Sequence, residues 1–270
     1  MAPQPKPAPQ LPPNVMDFFS LRGKVAVVTG ASGPIGEAVA EGYAQAGADV
    51  VMIYSRDDKA VQRAPELAKA NGVRVEAVQL DVRDYEATKR VIEGVISKFG
   101  KLDIWVANAG VPQMDNTIMH VDPKVLENII HINYTSVVYQ AALCGEYWSK
   151  HAPQGPNTGR FIITSSGAAS SNIRPLDQGV YNSSKAAVKV LARSLAQEFK
   201  DFARVNSVSP GYMGDAQGAD EAEITNALNR QVLNRTGDYR EMQGAYVYLA
   251  SDASSFCTGH DLIVDGGYTC

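Results

Sequence analysis

Cysteine is scarce in this chain. Cys144, Cys257 and Cys270 are the only three in 270 residues, and they lie far apart. So few thiols exclude a disulfide framework, and their spacing fits no zinc motif. Each is expected to be a small buried or terminal side chain in a reducing compartment, the cytoplasm. No apolar run reaches the roughly 18 residues that a membrane-spanning helix requires, so no membrane partner is expected. The leader MAPQPKPAPQLPPNV lacks the apolar core of a signal peptide. The net charge is −4 with no basic stripe, which argues against nucleic acid as a partner. The four histidines, His120, His131, His151 and His260, are scattered and suggest no metal site.

The hydrophobic share, 45%, is enough to bury a sizeable core. Residues 1–20 form a proline-rich segment that should be extended and flexible, because proline supports neither helix nor sheet. It reads as a solvated tail or, alternatively, a ligand for an SH3-type partner. Phe18, Phe19 and Leu21 are candidates to anchor it. Beyond it, strand-like apolar runs at 24–29, 49–54, 74–80, 103–110, 160–166, 204–211 and 261–267 alternate with helical stretches. The helices are expected near 34–47, 59–70, 85–99, 123–150, 181–202 and 239–250. Such alternation predicts one α/β domain over 21–270. It should be a Rossmann fold, a doubly wound parallel sheet of about seven strands with helices on both faces.

The stretch TGASGPIG at 29–36 links the first strand to the first helix. Glycines at Gly30, Gly33 and Gly36 let backbone approach a pyrophosphate at the helix N-terminus. Pro34 stands where a glycine is expected. Proline is tolerated at the first position of a helix, where its missing N–H has no intrahelical partner, so the loop reads as altered but usable. After the second strand, Tyr54, Ser55 and Arg56 stand where an acid would receive the adenosine ribose. An arginine beside a hydroxyl suits a 2′-phosphate instead and points to NADP. The alternative keeps Arg56 solvated and gives Asp57 or Asp58 the acid's place. Asp81, ending the third strand, is placed to meet the adenine amino group, and Asn108, Ala109 and Gly110 end the fourth beside the expected cofactor channel.

YNSSK at 181–185 opens a helix, and residues four apart share a helix face. An ammonium near a phenol lowers its pKa and suits it to acid–base work. Ser166 ends the fifth strand, at the edge where open α/β sheets bind ligands.

With these motifs the chain resembles the short-chain dehydrogenase/reductase family over roughly 20–270. TGASGPIG matches its TGxxxGxG, NAG its NNAG with Ala107 in place of the first Asn, YNSSK its YxxxK, and PGY at 210–212 its PG motif. The resemblance implies that Tyr181 is the acid/base and that Lys185 lowers its pKa and holds the nicotinamide ribose. Ser166 then binds the substrate oxygen, and Asn133, in INYTS, holds a water in a proton relay. The implied cofactor contacts add Ser32, Ile35, Val82, Pro210, Gly211 and Met213 to the residues above. Asp215, in PGYMGDA, lies near the place of a cofactor-contacting threonine. The leader with DFFSLRGKV, the stretch DFARVNSVSPGY and the terminus DGGYTC resemble fungal NADP-dependent ketose and carbonyl reductases of the L-xylulose, sorbose and mannitol type. These features imply NADPH-dependent reduction of a small-molecule ketone by a homotetramer built on the helices at 123–150 and 181–202. The segment 213–235, which shapes substrate choice in the family, is polar and acidic. A reductase of a polyketide-type ketone and a dinucleotide-binding sensor or scaffold without chemistry are the alternatives.

Overall fold

The computed structural model of the chain describes residues 9–113, 117–151, 159–170, 178–214, 225 and 228–270. Most of the proline-rich leader, Asp215 and much of 213–235 lie outside the described residues. The chain enters through a short 3-10 turn, Val15–Phe19. Leu21, fully buried, pins this entry to the body, and its N–H donates to the Ala46 carbonyl.

The strands are β1 (Val25–Thr29), β2 (Asp49–Tyr54), β3 (Val75–Gln79), β4 (Ile104–Ala107), β5 (Gly159–Thr164), β6 (Ala203–Pro210) and β7 (Asp261–Val264). They form one sheet in the order β3-β2-β1-β4-β5-β6-β7. Every neighbouring pair is parallel. The helices among the described residues are α1 (Pro34–Gln45), α2 (Lys59–Asn71), α3 (Tyr85–Phe99), α4 (Pro123–Ile130), α5 (Ser136–His151), α6 (Gly179–Glu198) and α7 (Glu241–Ala250).

Alternation along the strands sorts the core into two layers. In β1, Val25 and Val27 face the layer shared with α3, α5 and α6. Ala26 and Val28 face the layer shared with α1, α2 and α7. Burial on both faces explains why β1 reads as a continuous apolar run rather than an alternating one. Strand order reverses direction between β1 and β4. A crevice opens there above the carboxyl ends of the strands, and it is where a doubly wound sheet binds its ligand.

Arg204, buried on β6, closes the far end of the sheet. It donates to the carbonyls of Leu249 and Ser251 at 3.1 and 2.9 Å, satisfying the last turn of α7. Burial lowers its pKa to about 10.

The sequence predicts a single helix over 123–150, and here the structure differs. A π-turn, His131–Thr135, separates α4 from α5. One extra residue in the turn bulges the backbone at Asn133, whose side chain is drawn into bonds with other elements. Helix α6 starts at Gly179, two residues before the expected position, and ends at Glu198 rather than 202.

Candidate active site

β1 ends at Thr29 and the chain turns sharply at Gly30, where φ is +67°. A Cβ at Gly30 would meet the Ala109 Cα at 2.9 Å, and one at Gly36 would meet the Gly30 carbonyl oxygen at 2.3 Å. Only glycine fits either place. Pro34 occupies the first turn of α1, and Gly33 at the N-cap supplies no side-chain cap. The first N–H groups of α1 therefore keep their donors free for an anion. The proline costs one N–H that was never part of the helical bonding. This cradle fits a dinucleotide pyrophosphate.

Asn108 holds the loop in shape. Its Nδ2 donates to the Thr29 carbonyl at 2.9 Å, and its Oδ1 accepts from the Thr164 hydroxyl at 3.1 Å. The single proton of Thr164 is thereby committed, so the hydroxyl of fully buried Tyr246 donates to Thr164 Oγ1 at 2.7 Å. A buried relay thus runs from α7 through β5 and β4 to the glycine loop.

At the adenosine end, the structure places Tyr54, Ser55 and Arg56 at the end of β2. Arg56 is exposed and forms no ion pair with any described residue. The Ser32 hydroxyl is not turned to the loop interior; it donates to the Asp57 carbonyl at 2.6 Å. The Asp81 carboxylate is paired with Arg83 at 2.6 Å, which holds it below the usual carboxylate range. Val82 is buried beside it. None of these six residues lines the central cavity. Ser55, Arg56 and Asp81 border a separate groove between β3 and α3.

The central cavity measures about 480 Å³. It brings together Gly30, Gly33, Ile35 and Gly36 from the loop with Asn108, Ala109 and Gly110 after β4. Pro210, Gly211 and Met213 after β6 complete its cofactor side, and Ser166, Tyr181 and Lys185 open onto it. Ser166 follows β5 by two residues and caps a short 3-10 turn, Gly167–Ala169. Tyr181 is partly buried. Burial raises its phenol pKa, and a hydrogen bond with Ser166 works in the opposite sense. Lys185 is 4% exposed. Its Nζ lies 5.8 Å from the centre of the Tyr181 ring and donates to the Thr164 carbonyl at 2.9 Å. Burial lowers its pKa to about 8. Burial outweighs the Ser166 bond, so the phenol lies above its ordinary value rather than below it as expected, while the ammonium is held by β5.

Asn133 sits behind the cavity, 1% exposed. Its Nδ2 donates to the Val111 carbonyl and to Ser184 Oγ, and its Oδ1 accepts from the Val111 N–H at 2.8 Å. The side chain joins the π-turn to the loop after β4 and to α6.

Sequence reasoning missed Gln113. It is 3% exposed, and its Oε1 accepts from the N–H groups of Val180 and Tyr181 at 3.0 and 3.4 Å. It thereby caps α6, whose own N-cap residue Gln178 makes no side-chain cap. More than sixty residues separate donor and acceptor, so no local pattern announces the bond. Of the remaining wall, Gln178 and Tyr239 stood in no motif, while Asn182, Tyr212 and Tyr268 stood in YNSSK, PGY and DGGYTC without a role. Tyr212 and Tyr268 meet edge to face at 5.2 Å. Lys185 is the only charged residue lining the cavity among the described residues.

A family model described as enoyl-(acyl carrier protein) reductase matches residues 30–269. The chain is 41% identical over 272 residues to an NADP-dependent mannitol dehydrogenase of Hypocrea jecorina, covering 99% of each chain. It is 43% identical over 274 residues to a sorbose reductase of Candida albicans, covering 100% of this chain and 95% of that one. Among solved structures, an NADPH-dependent 3-quinuclidinone reductase from Rhodotorula rubra superposes with a TM-score of 0.93 at 41% identity, with 99% of each chain covered.

Proposed function

The chain belongs to the short-chain dehydrogenase/reductase family, and from that premise we propose that it is an NADPH-dependent reductase of a neutral ketose or related small ketone. The observation that carries the reading is the convergence of Ser166, Tyr181 and Lys185 on one cavity floored by the glycine loop. NADPH, when bound, supplies the hydride. The loop glycines and the N-terminus of α1 would hold its pyrophosphate, and Arg56 would pair with its 2′-phosphate. Ser166 donates to the carbonyl oxygen of the substrate and polarises it. Tyr181 passes its phenolic proton to that oxygen as the alcohol forms, and takes it back in the reverse direction. Lys185, an ammonium at neutral pH with its own pKa near 8, stabilises the phenolate left behind.

Among the described residues the wall carries no carboxylate and no further cation, which favours an uncharged substrate over a sugar acid or a sugar phosphate. The scaffold alternative rested on Pro34 and the changed loop after PG; Pro34 lies in the first turn of α1, where it leaves the glycine loop open, and Asp215 lies outside the described residues. The test is calorimetric titration with NADPH and NADH, followed by NADPH consumption with a panel of ketoses and simple ketones. Tighter NADPH binding, lost in Arg56→Ala, is the expected result, with turnover abolished and binding retained in Tyr181→Phe. Turnover by Tyr181→Phe at the wild-type rate would remove that residue from its role.

A further inference from the structure

The buried amides near the site are engaged. Asn108, Gln113, Asn133 and Gln140 all hydrogen-bond other parts of the protein. Asn182 is the exception. It follows Tyr181 on α6 and lines the same cavity, and its Oδ1 has no hydrogen-bond partner among the described residues. No described residue engages the amide, and the side chain is only partly buried, so a turn about χ2 presents its oxygen to a ligand in the cavity. Gln178 lies one helical turn earlier and also lines the cavity. Its Nε2 donates to the Gln113 carbonyl at 3.3 Å.

The chemistry of this pair defines what it reads. A primary amide both donates and accepts, which matches an alcohol, the group that does both from one atom. A carboxylate would find only donors useful, and an ammonium only acceptors. A hydroxyl-free ketone would leave the Asn182 oxygen unpaired, as it is now. We propose that Asn182, with Gln178 beside it, reads hydroxyl groups flanking the reacting carbonyl, and so sets the preference for polyhydroxylated ketones over simple ones. The inference rests on the reductase reading above and names the substrate class of that site.

The test compares wild type, Asn182→Leu and Asn182→Ser, with NADPH and two substrates, an uncharged ketohexose and 2-hexanone. Leucine keeps the volume and removes the amide; serine restores one group that donates and accepts. The ratio of kcat/KM for the ketose to that for 2-hexanone should fall at least about tenfold in Asn182→Leu and recover in part in Asn182→Ser. A parallel loss on both substrates would overturn the inference, because Asn182 would then be supporting Tyr181 rather than the substrate. An unchanged ratio would overturn it as well, and turnover of ketose by wild type would then leave the reductase reading standing. Turnover of 2-hexanone with none of any ketose would defeat the ketose reading and this inference together.

Discussion

Replacing Lys185 by Met should abolish turnover and yet make the protein more stable at neutral pH. The ammonium is buried in native protein, and its pKa falls from 10.5 to about 8. At about 1.36 kcal/mol per pH unit, that fall corresponds to about 3 kcal/mol of penalty on the charged native form. Met has a similar length and no charge, so it escapes the penalty. It also loses the bond from Nζ to the Thr164 carbonyl, which contributes about 1 kcal/mol. The net gain near neutral pH is about 2 kcal/mol, or a rise in Tm of about 4–8 °C for a domain of this size. The pH dependence has a definite sign. Below about pH 8 both native and unfolded Lys185 carry the proton, and the penalty is fully present. Between about 8 and 10.5 the unfolded chain binds more protons than the native one, so wild-type stability rises with pH relative to the variant. Above that window the advantage of Met has disappeared and the lost hydrogen bond leaves the variant the weaker protein. Urea denaturation of both proteins at about pH 7 and about pH 10 measures this. Cofactor must be absent, because a ligand bound only by native protein adds stability by mass action. A Met variant less stable than wild type at both pH values would show that the buried ammonium is net favourable, and would refute the reasoning.

Three further outcomes follow from the geometry. Gly36→Ala sets a methyl 2.3 Å from the Gly30 carbonyl oxygen and 2.7 Å from Asn108 Nδ2; NADPH affinity by calorimetry should fall at least about tenfold, or 1.4 kcal/mol. Thr164→Val leaves the Tyr246 hydroxyl and Asn108 Oδ1 unpaired in the core and should cost about 2–4 kcal/mol in denaturant unfolding. Gln113→Leu strips the cap from α6 and should lower kcat about tenfold, since a small misplacement of Tyr181 is expensive in rate. Gln113→Glu keeps an acceptor at the same place and should restore most of that kcat.

Much of the site was readable because its constraints are local. Gly30 is demanded by its own positive φ and Gly36 by the Gly30 carbonyl one turn away, and Pro34 is tolerated because one N–H has no helical partner. Tyr181 and Lys185 lie one helical turn apart, and a helix of any origin puts them on one face. Asn133 was readable only through resemblance, and its surroundings were not readable at all. The apolar period at 123–150 runs on through the π-turn, so nothing in that stretch marks the bulge. The bulge exists because Asn133 bonds Val111 and Ser184, residues from two other parts of the fold. Ser32 and Asp81 show the reverse case. Both sit at expected positions, yet their side chains are committed to Asp57 and Arg83.

By itself the sequence determined the order of strands and helices, the two-sided burial of the sheet and the glycine cradle, because periodicity and backbone sterics act over a few residues. The tertiary structure decided everything that depends on distant segments meeting. It lowered the pKa of Lys185 by closing a core around it. It set Gln113 on the end of α6, ran the bond relay from Tyr246 to the glycine loop, and left the Asn182 amide unengaged by any described residue in a cavity whose described wall carries one charge. Those are properties of low dielectric and of pairing across space, and a linear pattern does not encode them one residue at a time.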